Sequence, residues 1–139
     1  HKMDRAAATA RMLRAARDPF THILGHPTGR LLLARPPVEF DVDAVLDACA
    51  ECDTAVELNA SPHRLDFDAD VLTAAKERGV KVSIGPDAHS MEAMANLDFG
   101  VAVARRAGLT AEDVINSLDV QALSQWLERK RSRFDSRPT

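Results

Sequence analysis

Four short stretches concentrate the side chains able to do chemistry: 24-LGHPTGR-30, 55-AVELN-59, 60-ASPHRLDF-67 and 85-GPDAHS-90. Asp87 and His89 lie two apart in what reads as an extended turn, so their carboxylate and imidazole point the same way and can reach a common cation. Borderline metals such as zinc and manganese accept that mixture of oxygen and nitrogen. His26 ends an apolar run and is held between a glycine and a proline. Glu57 and Asn59, two apart in a strand, share one face, where a buried carboxylate needs a partner. Arg30 follows Gly29 and is placed to meet an anion. Each residue also has a plainer reading. Asp87 can cap the next helix and leave His89 exposed, His26 can bond a neighbouring loop, and Asn59 can fasten its own loop backbone. Arg30, His22, His63 and Arg64 can simply be solvated.

The elements that must position these residues follow from local pattern. Asp4 caps a helix that runs to Arg17, and 20-FTHIL-24 is a short buried strand closed by Gly25. Asp41 or Asp43 caps a second helix ending near Asp53, and 55-AVELN-59 is the second strand. A third helix spans about Asp68 to Arg78 and is closed by Gly79, before the strand 80-VKVSI-84. The rest reads as helical: Met91 to Leu97, Gly100 to Ala107, a helix capped by Thr110, and a last helix through Trp126 to about Lys130. Strand and helix alternate, which predicts parallel neighbours with right-handed crossovers and the α/β class. Parallel strands end on one edge, so His26, Asp87 and His89 should share a rim, within roughly 10 Å of one another if they bind one cluster. Three strands leave a parallel sheet incomplete, which predicts a piece of a larger barrel or sheet. The absence of a methionine at His1 agrees with that expectation.

The 139 residues, 45% hydrophobic and 28% charged, suit one soluble core, and a net charge of −3 announces no polyanion-binding surface. No run nears the roughly 18 apolar residues of a membrane span, so the chain reads as cytoplasmic and without a membrane partner. Cys49 and Cys52 form C-A-E-C, but Val42, Val45, Leu46 and Cys49 fall at helical spacing and no second pair completes a zinc site. Both cysteines are expected to be buried and unbridged.

Taken together, 24-LGHPTGR-30, 56-VELNASPHRLD-66, 85-GPDAHS-90 and 98-DFGVAVARRAGLTAEDVINSL-118 resemble the C-terminal half of a PHP (polymerase and histidinol phosphatase) domain, most like that of bacterial family X DNA polymerases. The resemblance implies part of a distorted (β/α)7 barrel over residues 1–128, followed by a basic, frayed tail at 129–139. It implies divalent metals, zinc or manganese with iron as a further option, up to three in a complete domain. His26 matches the G-H-P ligand, and Asp87 and His89 match the D-x-H ligands, so these three carry the expected catalysis. His1 is a further candidate ligand, set against it being the few residues between it and the first helix. Glu57 and Asn59 match the family's E-I-N segment as rim support or substrate contact, and Arg30 fits a phosphate contact. The family's opening H-x-H motif, a further histidine and a bridging glutamate have no counterpart in this sequence.

The chemistry so implied is metal-assisted phosphoester hydrolysis. The substrate is a DNA 3′ end, trimmed in the 3′–5′ direction beside polymerase domains, or a small phosphate ester of the histidinol-phosphate type. A third expectation is a non-catalytic module that braces a polymerase. The remaining N-terminal half of the PHP domain is the expected partner in each case, and the isolated chain is expected to be weakly active or inactive.

Overall fold

Asp4, Asp41 and Asp68 each precede an alanine-containing run, and each caps a helix by accepting a backbone N–H three residues on, at 2.7, 3.1 and 3.1 Å. The helices are α1 (Arg5–Arg17), α2 (Val42–Cys52) and α3 (Ala69–Glu77) in a computed structural model that describes residues 3–135, with side chains described through residue 132. Asp41, rather than Asp43, is the cap of α2. Asp43 instead accepts from Arg78 at 2.7 Å.

The strands β1 (Ile23–Leu24), β2 (Ala55–Asn59) and β3 (Val82–Gly85) form one parallel sheet in the order β1-β2-β3. Leu24 pairs with Val56, Val56 with Val82, and Asn59 with Gly85. The α/β class and the parallel order expected from the alternation are present. Side chains alternate across a strand. Val56 and Leu58 are fully buried in the main core with Leu24 and Val82, packed with Val45, Leu46 and Cys49 of α2 and Leu72 and Ala75 of α3. The other face carries Gly25, Ala55, Glu57, Asn59 and Ser83. Among the described residues an apolar cluster covers its lower end, where Ile115 and Trp126 close over Ala55.

Beyond β3 the chain is less regular than its sequence suggests. Residues Glu92–Asn96 form a 3-10 turn that runs into α4 (Leu97–Arg106). Thr110 makes the expected capping box with Asp113, yet the box opens only the short turn Ala111–Asp113. Val114 and Ile115 must turn inward to be buried, which ends the helix there. The last helix, α5 (Val120–Asp135), continues past Lys130; residues 136–139 of the expected tail lie outside the described residues. Lys130 is fully buried, its ammonium donating to Ala16 O at 3.2 Å and to Thr21 O and Thr54 Oγ1. Three acceptors make that burial tolerable, although desolvation still pushes the Lys130 pKa down. Trp126 Nε1 and Arg129 Nε both bond Asp53, each at 3.2 Å, and fasten α5 to the end of α2.

Both cysteines are buried and unbridged, as expected, and burial raises the Cys49 pKa to about 12, which keeps it an inert thiol. No helix among the described residues is long and apolar enough to cross a membrane.

Gly100 marks where α4 meets the sheet most closely. A Cβ there would lie 2.6 Å from Ile84 Cγ2 and 2.8 Å from Ala60 Cβ. Gly100→Ala should therefore destabilise the fold by about 1–3 kcal/mol through overpacking, despite the better helix propensity of alanine. Urea unfolding measures this, and an unchanged or raised midpoint would show that α4 can stand off the sheet.

Candidate functional site

The parallel register puts the carboxyl ends of all three strands on one edge, and each delivers a loop there. His26 follows β1 by two residues, Asn59 ends β2, and Asp87 follows β3 by two. His26 and Asp87 have φ of +28° and +51°. Few non-glycine residues adopt such values unless their surroundings hold them.

Glu57 stands between the first and third loops. A Cβ at Gly85 would come within 2.9 Å of its Oε1, and one at Gly25 within 3.7 Å of its Oε2. The carboxylate accepts the backbone N–H of His26 and, at 3.4 Å, an N–H of the Asn59 amide. Asn59 is itself buried, and its carbonyl oxygen accepts from Ser61 N at 3.1 Å.

Asp87 and His89 line one cavity of about 560 Å³ with Ser61, His63 and Arg64. His89 Nδ1 lies 2.8 Å from Asp87 O. A carbonyl oxygen only accepts, so Nδ1 carries the proton in this hydrogen bond and Nε2 is the ring nitrogen left to meet a ligand. Burial tends to raise the Asp87 pKa, but bonds from Asn59 and Arg64 and the charges of Arg64 and His89 outweigh it and lower the value. Asp87 is therefore ionised, and Arg64 Nε sits 3.0 Å from its Oδ2.

His26 opens into a different cavity of about 310 Å³, largely apolar, with Met12, Leu24 and Phe40 in its wall and Arg11 among its lining residues. The three candidate ligands thus share a rim, with His26 in a cavity apart from the Asp87–His89 pair. Among the described residues no three His, Cys, Asp or Glu side chains converge to hold a metal. The Asp87–His89 pair offers one oxygen and one nitrogen of the kind a borderline cation accepts, fewer than a ligand set needs. His1 lies outside the described residues.

Arg30 turns inward along the loops. Its Nε donates to Arg64 O at 2.8 Å, another N–H donates to Leu65 O, and Nη1 lies 3.6 Å from Asp68 Oδ2. Arg64 reciprocates by donating to Arg30 O at 3.2 Å. His22 lies at the opposite end of β1, with its ring nitrogens 3.2 Å from Phe20 O and 3.3 Å from Leu127 O. His63 is exposed on the rim.

Two residues gain importance that the sequence did not suggest. Arg64 is the counter-ion of Asp87, and Asp66 is wholly buried, with Oδ2 accepting from Thr28 N, Thr28 Oγ1 and Gly29 N at 2.9–3.0 Å. The run R-L-D itself was visible in the sequence, but nothing local shows that both its charged ends turn toward other loops.

The chain is 34% identical over 119 residues to a Bacillus subtilis protein named DNA polymerase/3'-5' exonuclease PolX, covering 86% of this chain and 21% of that protein. It is 28% identical over 132 residues to a protein of a Thermoanaerobacter species named probable phosphatase, covering 91% of this chain and 51% of the relative. A second probable phosphatase, of Caldanaerobacter subterraneus subsp. tengcongensis, matches at 28% over 91% of this chain and 49% of its own length. The chain thus spans about half the length of these phosphatases and about a fifth of the polymerase. No family model matches it.

The Arg64–Asp87 pair makes a pH-dependent prediction. Arg64→Ala should move the Asp87 pKa up toward the ordinary value of about 3.9, read by carboxyl-carbon NMR titration. A depressed carboxylate pKa stabilises the fold above the ordinary value, and that contribution is lost as pH falls through the folded value. The stability difference between parent and variant should then be present at pH 7 and fade below about pH 4. A difference that persists undiminished into stronger acid would assign Arg64 a packing role instead.

Proposed function

We propose that this chain is part of a PHP-type phosphoesterase and contributes to a metal-dependent hydrolysis of phosphate esters, of the 3′–5′ exonuclease kind found beside a polymerase. The observation that carries the reading is the Asp87–His89 pair: an ionised carboxylate and an imidazole whose Nδ1 is engaged by Asp87 O, leaving Nε2 to meet a ligand, both lining one cavity at the carboxyl edge of a parallel sheet. The named relatives support it, since a DNA polymerase/3'-5' exonuclease and several probable phosphatases match over most of this chain.

In this reading His26, Asp87 and His89 are ligands to zinc, manganese or iron, and the rest of a partial barrel supplies the others. A bound divalent cation activates water and neutralises charge developing on the phosphoryl group. The chain's own part is to keep Asp87 charged through Arg64 and Asn59, to hold the His89 tautomer through Asp87 O, and to fix the His26 backbone through Glu57. Arg30 and Asn59 act on substrate through the loops they hold, and Arg30 can meet a phosphate directly only by leaving its carbonyl partners. A small-molecule phosphatase is the second reading, favoured by the probable phosphatases that match over about nine-tenths of the chain.

Asp87→Asn, made in the full-length protein, should lower kcat by at least about a hundredfold with the fold intact, because the amide keeps the shape and loses the charge. Assaying single-stranded 3′-end trimming beside release from a small monoester separates the two substrate readings. Full activity on both in Asp87→Asn defeats the metal mechanism.

A further inference from the structure

The loop that carries His26 has an unusual anchor. His26 and Gly29 both take positive φ, +28° and +61°, so the segment between them is folded in a way few sequences hold unaided. Its amides converge on two carboxylates that come from elsewhere: the N–H of His26 goes to Glu57, and those of Thr28 and Gly29 go to Asp66 Oδ2. The Thr28 hydroxyl donates to the same oxygen at 2.9 Å.

Asp66 is unlike an ordinary loop aspartate. It has no solvent exposure, and its Oδ1 is buried without a hydrogen-bond partner. Its backbone is fixed by a two-way pairing with Asn59, the Asn59 N–H to Asp66 O at 2.5 Å and the Asp66 N–H to Asn59 O at 3.2 Å. A carboxylate buried with one oxygen idle is costly to keep if stability alone is at stake. Its geometry serves one purpose visibly: it transmits the position of the central strand to the loop beyond β1.

We propose that Asp66 is a positioning residue for His26, setting the His26 loop against the end of β2 so that the imidazole is presented at one fixed place on the rim. This rests on the reading of His26 as a metal ligand. Asp66 does not line the cavity into which His26 opens, and acts through its bonds to Thr28 and Gly29. Partners that orient a ligand in this way typically change metal affinity by about 10–100-fold when removed.

The test is Mn2+ affinity, measured by calorimetric titration of the full-length protein, in Asp66→Ala, Asp66→Asn, Thr28→Val, His26→Ala and the Asp66→Ala/His26→Ala double variant. Asp66→Ala should weaken Mn2+ binding by about tenfold or more. Asp66→Asn should recover most of that loss, since its carboxamide oxygen can accept the same donors. The double variant should bind no more weakly than His26→Ala alone, because the effect passes through His26. Amide exchange at Thr28 and Gly29 should quicken in Asp66→Ala with or without metal. Should Asp66→Ala fail to fold, Thr28→Val, which at equal volume removes one donor to Asp66 and the acceptor of Arg30 N, decides: severalfold weaker binding supports the role and wild-type affinity overturns it. Wild-type affinity in a folded Asp66→Ala, or additive losses in the double variant, overturns positioning alone. If His26→Ala itself binds Mn2+ as tightly as the parent, the metal reading of His26 fails and positioning falls with it.

Discussion

The rim is built around the carboxylate of Glu57. It projects from the central strand into the space above both neighbours, and a side chain at position 85 would put a Cβ within 2.9 Å of it. Glycine at 85 leaves that carboxylate its place, and a side chain there would make Glu57 shift. A half-buried charge on the face of a sheet persists only if its lone pairs are used. The His26 N–H and the Asn59 amide use them, one from the loop after β1 and one from the end of β2 itself. The place where the first loop leaves the sheet is in this way fixed by the middle strand.

A second tier of contacts ties the three loops to one another. Arg30, on the first loop, donates to carbonyls of the second, and Arg64, on the second, donates to a carbonyl of the first and to Asp87 on the third. Neither guanidinium stands free in solvent, which explains how two arginines fit beside candidate cation ligands. Their charges are spent on backbone dipoles and on Asp68 and Asp87. Such reciprocal networks hold together or loosen together.

What could be read in the sequence was what is local. Asp4 and Asp68 announce helices because an N-cap acts over three residues, and 55-AVELN-59 announces a strand over the same short range. The third strand begins two residues later than its apolar run, because Val80 N bonds back to Ala75 O and finishes α3. The first strand is shortened to Ile23–Leu24 because Thr21 N turns back to Asp18 O. Asp66 and Arg64 were not legible as site residues, since their partners lie 38 and 23 residues away. Lys130, among the charged residues of the C-terminal run, gave no sign of burial because its acceptors belong to α1 and the β1 and β2 approaches, over 70 residues distant. What the spacing of Asp87 and His89 did make legible is that both face one cavity.

The proposed metal site and the open face of the sheet share one geometry. A parallel sheet is normally covered on both sides. Among the described residues the helices cover one side, and on the other Ile115 and Trp126 reach only as far as Ala55, with Gly25 exposed and Glu57 and Ser83 half-buried. Ile23, an apolar strand residue, is 38% exposed on that same side. In the proposed partial barrel this face is the interior, and whatever chain closes it must approach Glu57, His26 and Asp87 from the open side. Any further ligands would arrive on the same strands that bury Ile23. On that proposal, completing the core and completing a metal site would be a single packing event, and any affinity of this rim for a cation would be coupled to how firmly the open face is closed.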